Sequence, residues 1–531
     1  MHGKRPTMTS VHGIVAAAHP LAAQAGAKML AGGGNAFDAA AATAAALNVV
    51  EPFMSSLAGL GLATCYVAKE QRVRTLDFVP KVPSALPVER FSRREDLQRG
   101  PLSVAAPGNF AGWAELVQAY GKKRLRDALQ PAIALARDGF ALAEFGIAEF
   151  NEQRPLLKAY PFYDDWAKNY SGEPVSLGQV IRQPDLARTL EALASEGPGL
   201  LYAGALGKTI VAHLQKNGGS LTLDDLAAVK PVWKEPLTAA YRGLVINTLP
   251  PPCEGFQFLL TLRILERFDL ARLAHNGVEH LDTVWRAIRV AAGERIAHNN
   301  PDPSTLAAML SDANAERLAA RVSDGNPIDG PTEQWTAPVA GATQMEHHTT
   351  SFSIADRDGN IICVTQSLGS PFGSGVVVPG TGLCLNNFLY WADLNPNSPN
   401  HTLPGSALPM CMAPTLSLRD GTPVLALGTP GSYGILQTQA QAMVQYVDYG
   451  LPLQDAIEQP RARLWDGRQV QPETRIAPDV LKALGPRGHA ILPGEAWTMR
   501  VGGMQAVALD PATGLMTGAC DPRRDGYVAT G

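Results

Sequence analysis

The chain of 531 residues is 46% hydrophobic and only 18% charged, which predicts a large folded core and excludes a disordered protein. Its formal net charge is −4, and no block of like charges occurs, so neither nucleic acid nor an anionic membrane is indicated as a partner. The cysteines show no CxxC spacing, so we expect reduced, mostly buried thiols at Cys65, Cys253, Cys363, Cys384, Cys411 and Cys520.

The first part of the chain shows no targeting or membrane segment. Residues 1–6 are not followed by an apolar core or a cleavage site, so a cytoplasmic location is expected. Residues 36–50 are alanine-rich, contain Asp38 and are too short to span a bilayer, so we predict a buried helix that packs through small side chains. Gly59-Leu60-Gly61 lacks the third glycine of a dinucleotide fingerprint, and no cofactor is expected.

A connector rich in turn residues precedes the most informative segment. Asp324-Gly325-Asn326-Pro327 and Asp329-Gly330-Pro331 predict an exposed loop within 323–348. The adjacent pair His347-His348 suggests a metal site at first sight. Neighbouring side chains on a strand point in opposite directions and no third ligand follows, so we interpret them as ordinary residues and predict no metal.

Residues 349–367 predict a β-hairpin with a threonine at its open end. Alternation in 349–355 and the β-branched run 361–365 indicate two strands. A three-residue loop that ends at Gly359 joins them, because glycine can adopt the left-handed conformation that closes the turn. Counting outward pairs Asp356 with Asn360, Ser353 with Cys363 and Thr349 with Ser367. Opposed side chains lie about 4.5–5.5 Å apart at Cβ, so the Thr349 and Ser367 hydroxyls should meet.

The hairpin resembles the start of the small subunit in the γ-glutamyltransferase family of N-terminal-nucleophile hydrolases. Further motifs match that family in order, at residues 33–40, 50–52, 103–108, 111–113, 131–133, 136–140, 224–226, 241–243, 250–252, 372–375, 385–387, 413–415, 428–431 and 521–526. The resemblance implies an α+β fold, a four-layer αββα sandwich formed jointly by both halves of a self-cleaved precursor. It implies a large segment 1–348 and a small segment 349–531.

By resemblance, the chain cuts itself between His348 and Thr349, and the freed threonine is the nucleophile with its own α-amine as base. A hydroxyl needs such a base, and an α-amine titrates near pH ~8, so it is available near neutrality. Thr350 is expected to hydrogen-bond near Thr349, and Ser367 stands where relatives carry a supporting threonine. Gly431 and Ser432 occupy the place of the two backbone donors of the oxyanion hole.

The acyl pocket departs from the family. Relatives hold the γ-glutamyl group with an arginine, two serines, an aspartate and other polar groups. The matching positions here are Val79, Gly369, Phe388, Trp391, Met410 and Cys411. Lys81 is an alternative carboxylate partner, and Cys411 is a rival nucleophile without a base nearby. Loss of the charged anchors predicts an apolar or aromatic acyl group.

The expected function is therefore a self-processing amide hydrolase or acyltransferase with altered acyl specificity, acting on a small-molecule amide. A true γ-glutamyltransferase or glutathione hydrolase is one alternative. An unprocessed, inactive binding scaffold is another. The two cleaved segments are expected to form an αβ heterodimer, with a dimer of heterodimers as a further alternative.

Overall fold

The computed structural model describes residues 5–329, 348–398 and 400–531. Most of the loop predicted over 323–348 lies outside these residues, and so does His347. Among the described helices, none combines the length and apolar character needed to cross a bilayer.

Two antiparallel seven-stranded sheets dominate the described residues. The hairpin sheet contains the predicted hairpin and has the strand order Tyr527–Thr530, Gly13–Ala17, Thr350–Asp356, Ile361–Ser367, Leu60–Val67, Arg72–Asp77 and Val232–Lys234. The facing sheet has the order Met8–Ser10, Met516–Cys520, Gln505–Leu509, Thr422–Gly428, Thr415–Arg419, Leu244–Thr248 and Leu237–Tyr241. Both sheets contain strands from before and after residue 349, so both halves of the chain build one sandwich.

The predicted hairpin is confirmed in its register. Ser353 pairs with Cys363, and the backbone N–H of Asp356 donates to the carbonyl of Asn360 at 3.0 Å. Gly359 has a φ of +87°, the left-handed conformation that the turn requires. The strands are central in their sheet and buried along their whole length. The hairpin is thus a core element whose register fixes which side chains face the other sheet.

Apolar side chains fill the space between the sheets, among them Ile14, Ala355, Ile361, Leu416, Val507 and Met516. Helices cover the two outer faces. Pro20–Ala31, Ala36–Val50, Asn109–Tyr120, Leu125–Asp138 and Pro184–Glu196 lie on the hairpin-sheet side. Phe256–Leu265, Val278–Ala297, Asp312–Ser323 and Ile435–Met443 lie on the facing-sheet side. The order helix, sheet, sheet, helix is the predicted αββα sandwich.

The predicted helix over 36–50 is confirmed as Ala36–Val50, and every one of its residues is buried. Its first turn is fixed by Asn35, whose side chain accepts from the backbone of Phe37 and Asp38, while Asp38 accepts from Asn35 in return. The alanines allow close approach: a Cβ at Gly26 of the neighbouring helix would lie 2.2 Å from Thr43 Oγ1. This helix ends at Glu51, and it therefore delivers a carboxylate to the open end of the hairpin.

Smaller elements complete the fold. Short helices span Glu144–Leu157, Tyr163–Asn169, Gly199–Tyr202, Ala205–Lys216, Leu223–Ala227, Pro303–Met309, Leu453–Glu458 and Pro478–Leu484, and a π-helical turn spans Val444–Asp448. Short strands span Phe140–Ala141, Val180–Ile181, Val377–Val378, Leu383–Cys384, Ala462–Leu464, Gln469–Pro472 and Ala490–Ile491. The 3₁₀ turns Phe388–Trp391 and Ser432–Gly434 carry residues that the sequence assigns to the site.

Candidate active site

Thr349 lies at the open end of the hairpin, one residue before the strand Thr350–Asp356, and is 5% exposed. Its hydroxyl donates to the Ser367 Oγ at 3.3 Å, as the predicted pairing requires. The Ser367 hydroxyl in turn donates to the carbonyl of His348 at 2.8 Å and accepts from the backbone N–H of Gly369 at 3.0 Å. Ser367 therefore connects the Thr349 hydroxyl with the carbonyl on the other side of the His348–Thr349 bond.

Thr350 is the first residue of the strand Thr350–Asp356 and follows Thr349 directly. Its hydroxyl donates to Glu51 Oε2 at 2.9 Å. Glu51 is 1% exposed, and burial raises the pKa of its carboxyl to about 7. Thr350 thus binds a buried acid, and its predicted hydrogen bond near Thr349 stays a prediction.

Charged side chains surround this end of the hairpin on the helix side. The Arg524 Nη1 donates to the carbonyl of Thr349 at 2.8 Å, and its guanidinium lies over the Phe145 ring at 5.4 Å. The His348 imidazole contacts Glu149 Oε2 at 2.9 Å, with both side chains buried. These contacts hold the backbone on both sides of the 348–349 bond.

The loop after the strand Thr422–Gly428 contains the predicted oxyanion donors. A Cβ at Gly428 would lie 2.1 Å from Ser351 Oγ, so the loop starts against the nucleophile strand. Gly431 has a φ of +130° and Ser432 a φ of +52°. In the described part of the chain, neither of their backbone N–H groups donates to a protein acceptor. Arg463 Nη1 holds the loop by donating to the Gly431 carbonyl at 3.0 Å.

Five of the six predicted acyl-pocket residues, all except Gly369, belong to or pack against one large apolar cluster. Phe388, Met410 and Cys411 are buried in it, and Val79 and Trp391 pack against it. The Phe388 and Trp391 rings are 5.9 Å apart. We call these five residues the acyl wall. Lys81, by contrast, is exposed.

Gly369 lies between Trp391 of the acyl wall and the Ser367 hydroxyl, to which its backbone N–H donates. A Cβ at Gly369 would lie 2.1 Å from Asn387 Oδ1 and 3.3 Å from Trp391 Cζ3, and the residue has a φ of +99°. The asparagine that the resemblance predicts at this position would not fit without moving Asn387.

A buried ion pair lies behind the acyl wall, where the sequence indicated no charge. Arg295 Nη1 contacts Glu254 Oε1 at 2.8 Å, and both side chains are 2% exposed. The Glu254 N–H donates to the Met410 carbonyl at 2.8 Å, and the Arg295 guanidinium lies 4.6 Å from the centre of the Tyr433 ring. Burial raises the pKa of the Cys411 thiol to about 12, so this cysteine stays protonated and is a poor nucleophile.

The sequence did not identify Glu51, Glu149, Arg463 or Arg524 as site residues. A signal existed for two of them, since Glu51 lies in the motif 50–52 and Arg524 in the motif 521–526. No motif includes Glu149 or Arg463, because only the tertiary fold brings these two side chains to the site. Within the described ranges, no three His, Cys, Asp or Glu side chains converge as a metal site.

The family model described as Gamma-glutamyltranspeptidase matches residues 22–531. The chain belongs to the γ-glutamyltranspeptidase family. It is therefore an enzyme of the amide-bond hydrolase class.

Relatives within this γ-glutamyltranspeptidase family carry two kinds of name. The chain is 33% identical to the Acylase ACY 1 proenzyme of a Pseudomonas species over 98% of this chain and 94% of that one. It is 29% identical to the glutathione hydrolase proenzyme of Bacillus subtilis over 97% and 90%. The crystal structure of cephalosporin acylase from Bacillus halodurans matches with a TM-score of 0.89 and 30% identity, over 100% of this chain and 98% of that one.

Proposed function

We propose that this γ-glutamyltranspeptidase-family chain is a self-processing acylase that cuts its own His348–Thr349 bond and then hydrolyses small amides whose acyl group is apolar or aromatic. The observation that carries the proposal is the hydrogen-bonded path from the Thr349 hydroxyl through Ser367 to the carbonyl of His348. Proenzyme names among the relatives support the processing step.

Processing begins with attack of Thr349 Oγ on the carbonyl carbon of His348. Ser367 already donates to the oxygen on which negative charge then develops, which lowers the barrier. The C–N bond breaks, the nitrogen keeps the electron pair and takes the hydroxyl proton, and the acyl group of His348 is left as an ester on Thr349. Water then hydrolyses the ester to give a His348 carboxylate, the free Thr349 hydroxyl and its α-amine.

Substrate hydrolysis reuses the same hydroxyl. The α-amine takes the proton from Thr349 Oγ as the oxygen attacks the substrate amide, and the backbone N–H groups of Gly431 and Ser432 stabilise the tetrahedral oxyanion. The amine then gives its proton to the leaving group, and water releases the acid from the acyl-enzyme. Ser367 keeps the hydroxyl oriented through its bond to the backbone of Gly369.

The acyl wall supports a change of acyl group. A charge-assisted hydrogen bond contributes about 1.5–3 kcal/mol, and several such anchors of a γ-glutamyl group are replaced here by Val79, Phe388, Trp391 and Met410. Aromatic and aliphatic side chains favour an apolar acyl chain instead. The similarity to an acylase and to a cephalosporin acylase agrees with this change. We further propose that segments 1–348 and 349–531 remain together as a heterodimer, since they share both sheets.

Replacement of the nucleophile tests the processing step. Thr349→Ala should leave one chain on a denaturing gel, while the parent gives two fragments, and N-terminal sequencing of the smaller one should begin Thr-Thr-Ser-Phe. Thr349→Ser keeps a hydroxyl and is the matched control that should still cleave. Cleavage in Thr349→Ala, or a parent that stays whole, would refute the proposal and favour an inactive scaffold.

A panel of acyl anilides tests the specificity. We expect the cleaved protein to hydrolyse aromatic and aliphatic acyl anilides faster than γ-glutamyl-p-nitroanilide. The similarity to glutathione hydrolases makes the opposite preference the second candidate. A preference for the γ-glutamyl compound would establish that candidate and show that the acyl wall does not line the acyl pocket.

A further inference from the structure

Glu51 is a buried acid, and only one of its two carboxylate oxygens has a hydrogen-bond partner among the described residues. Its Oε2 accepts from Thr350, but its Oε1 has no hydrogen-bond partner among the described residues. A buried carboxylate oxygen without a partner destabilises the fold, so its retention points to a group that arrives later. Self-cleavage creates such a group, because it frees an N–H-rich amine on Thr349.

The position of Glu51 suits that amine. Thr350, which binds the carboxylate at 2.9 Å, follows Thr349 directly, and consecutive Cα atoms are ~3.8 Å apart. The carboxylate and the terminal nitrogen therefore lie at the same end of the hairpin, and a direct or one-water contact between them is part of the proposal. Glu51 and Thr350 are on different segments after cleavage, so the contact also ties the new chain end to the helix layer.

Two of the charged side chains near Glu51 already contact the residues at the cleavage site, which leaves Glu51 to bind the new amine. Arg524 and Asp525 approach it from the turn after the strand Met516–Cys520, and Glu149 approaches from the helix Glu144–Leu157. Arg524 is engaged with the Thr349 carbonyl, and Glu149 contacts His348, which becomes the end of the other segment.

We propose that Glu51 is the positioning residue for the α-amine that cleavage frees on Thr349, with its Oε1 as the acceptor that holds this amine beside the hydroxyl. The assignment rests on the proposed function. An anionic Glu51 stabilises the protonated amine, and the amine must be neutral to act as base. The acidic limb of kcat/KM against pH therefore reports the contact.

Glu51→Gln keeps the acceptor for Thr350 but removes the charge. We expect the acidic limb of the cleaved enzyme to move to lower pH by about one unit, with kcat on the plateau falling about tenfold and KM within twofold of the parent. Glu149→Gln removes a buried carboxylate from the same cluster and is the matched control. The acidic limb of Glu149→Gln should move by less than half as far as that of Glu51→Gln.

Two results would overturn the assignment: an acidic limb of Glu51→Gln that coincides with that of the parent, or an equal displacement in Glu149→Gln. If Glu51→Gln folds but does not cleave itself, Glu51→Asp becomes the test, because it retains the charge on a shorter side chain. Its limb should stay at the parent position while kcat falls at least about fivefold, and a parental kcat would contradict the proposal. A parent that never yields the Thr349 fragment refutes the proposed function instead, so the two failures are distinguishable.

Discussion

The two sides of the candidate site are built on opposite physical principles. At the open end of the hairpin, Thr349, Ser367, Glu51 and Arg524 are buried polar groups joined by hydrogen bonds of 2.8–3.3 Å. At the acyl wall, the contacts are apolar and aromatic. The sequence predicts that the polar side keeps the residues of the family and that the acyl wall departs from them. Under the proposed function, chemistry and specificity lie on separate groups of residues and can change separately.

The two sides also differ in what they contribute to stability. A buried polar atom without a partner costs about 1–3 kcal/mol, and the described part of the polar side includes such atoms at Glu51 Oε1, His348 Nδ1 and Ser432 Oγ. A fully buried large apolar side chain such as Phe388 or Met410 contributes roughly 1.5–3 kcal/mol. We therefore expect changes on the polar side to affect rate more than stability, and some of them to stabilise the fold.

The largest effect is expected from Ser367→Ala. The variant removes the donor to the His348 carbonyl and the acceptor of the Thr349 hydroxyl, and loss of one oxyanion donor costs about 10²–10³-fold in rate. Self-cleavage followed by gel densitometry should slow by that factor. Ser367→Thr restores the hydroxyl and should cleave within about tenfold of the parent. Equal rates in all three proteins would show that Ser367 takes no part in the chemistry.

The buried acid should make stability depend on pH in the uncleaved Thr349→Ala background. The pKa of Glu51 is about 7 in the folded state, whereas that of an unperturbed glutamate side chain is 4.5. Because the folded-state pKa is the higher one, protonated Glu51 stabilises the fold. This stabilisation is complete below pH 4.5 and is lost as pH rises through 7. The glutamine of Glu51→Gln does not titrate. The unfolding free energy of this variant minus that of the protein with Glu51 should therefore increase by about 2–3 kcal/mol between about pH 5 and pH 8. Denaturant titrations at both pH values measure this, and a constant difference would contradict the raised pKa.

The acyl wall should govern substrate choice. Trp391→Ala removes a large ring next to Gly369 and should lower kcat/KM for aromatic acyl anilides by about 10–100-fold, with self-cleavage unchanged. Trp233→Ala is the matched control: a partly buried tryptophan on the far edge strand of the hairpin sheet. An equal loss of kcat/KM in both variants, or slowed self-cleavage in Trp391→Ala, would show that chemistry and specificity are not carried by separate residues.

The smallest effect is expected from Ser432→Gly. A non-glycine residue in the left-handed region costs about 1–2 kcal/mol, which the greater chain entropy of glycine partly offsets. The variant should therefore be more stable by about 0.5–1 kcal/mol, with the oxyanion donor intact. Gly431→Ala, at a φ of +130°, is the contrasting variant and should be destabilised. A loss of stability in Ser432→Gly would show that the serine hydroxyl has a role in the fold.

Much of the fold was predictable because its signals are local. Alternation over 349–367 and a turn glycine at Gly359 fix the hairpin and its register, and the register alone brings Thr349 to Ser367. The run of alanines over 36–50 fixes a buried helix in the same way. The hydrogen bond from Thr350 to Glu51 was not predictable in this way, because the two residues are 299 positions apart along the chain.

The amino-acid sequence by itself determined the hairpin, the buried helix, the family and the apolar character of the acyl wall, since each depends on residue type and short spacing. Only the tertiary structure decided which charged side chains contact these features. Glu51, Glu149, Arg463 and Arg524 come from distant parts of the chain, and no periodicity records such a meeting. The physical reason is that side-chain electrostatics acts over a few ångströms in space, whatever the separation along the chain.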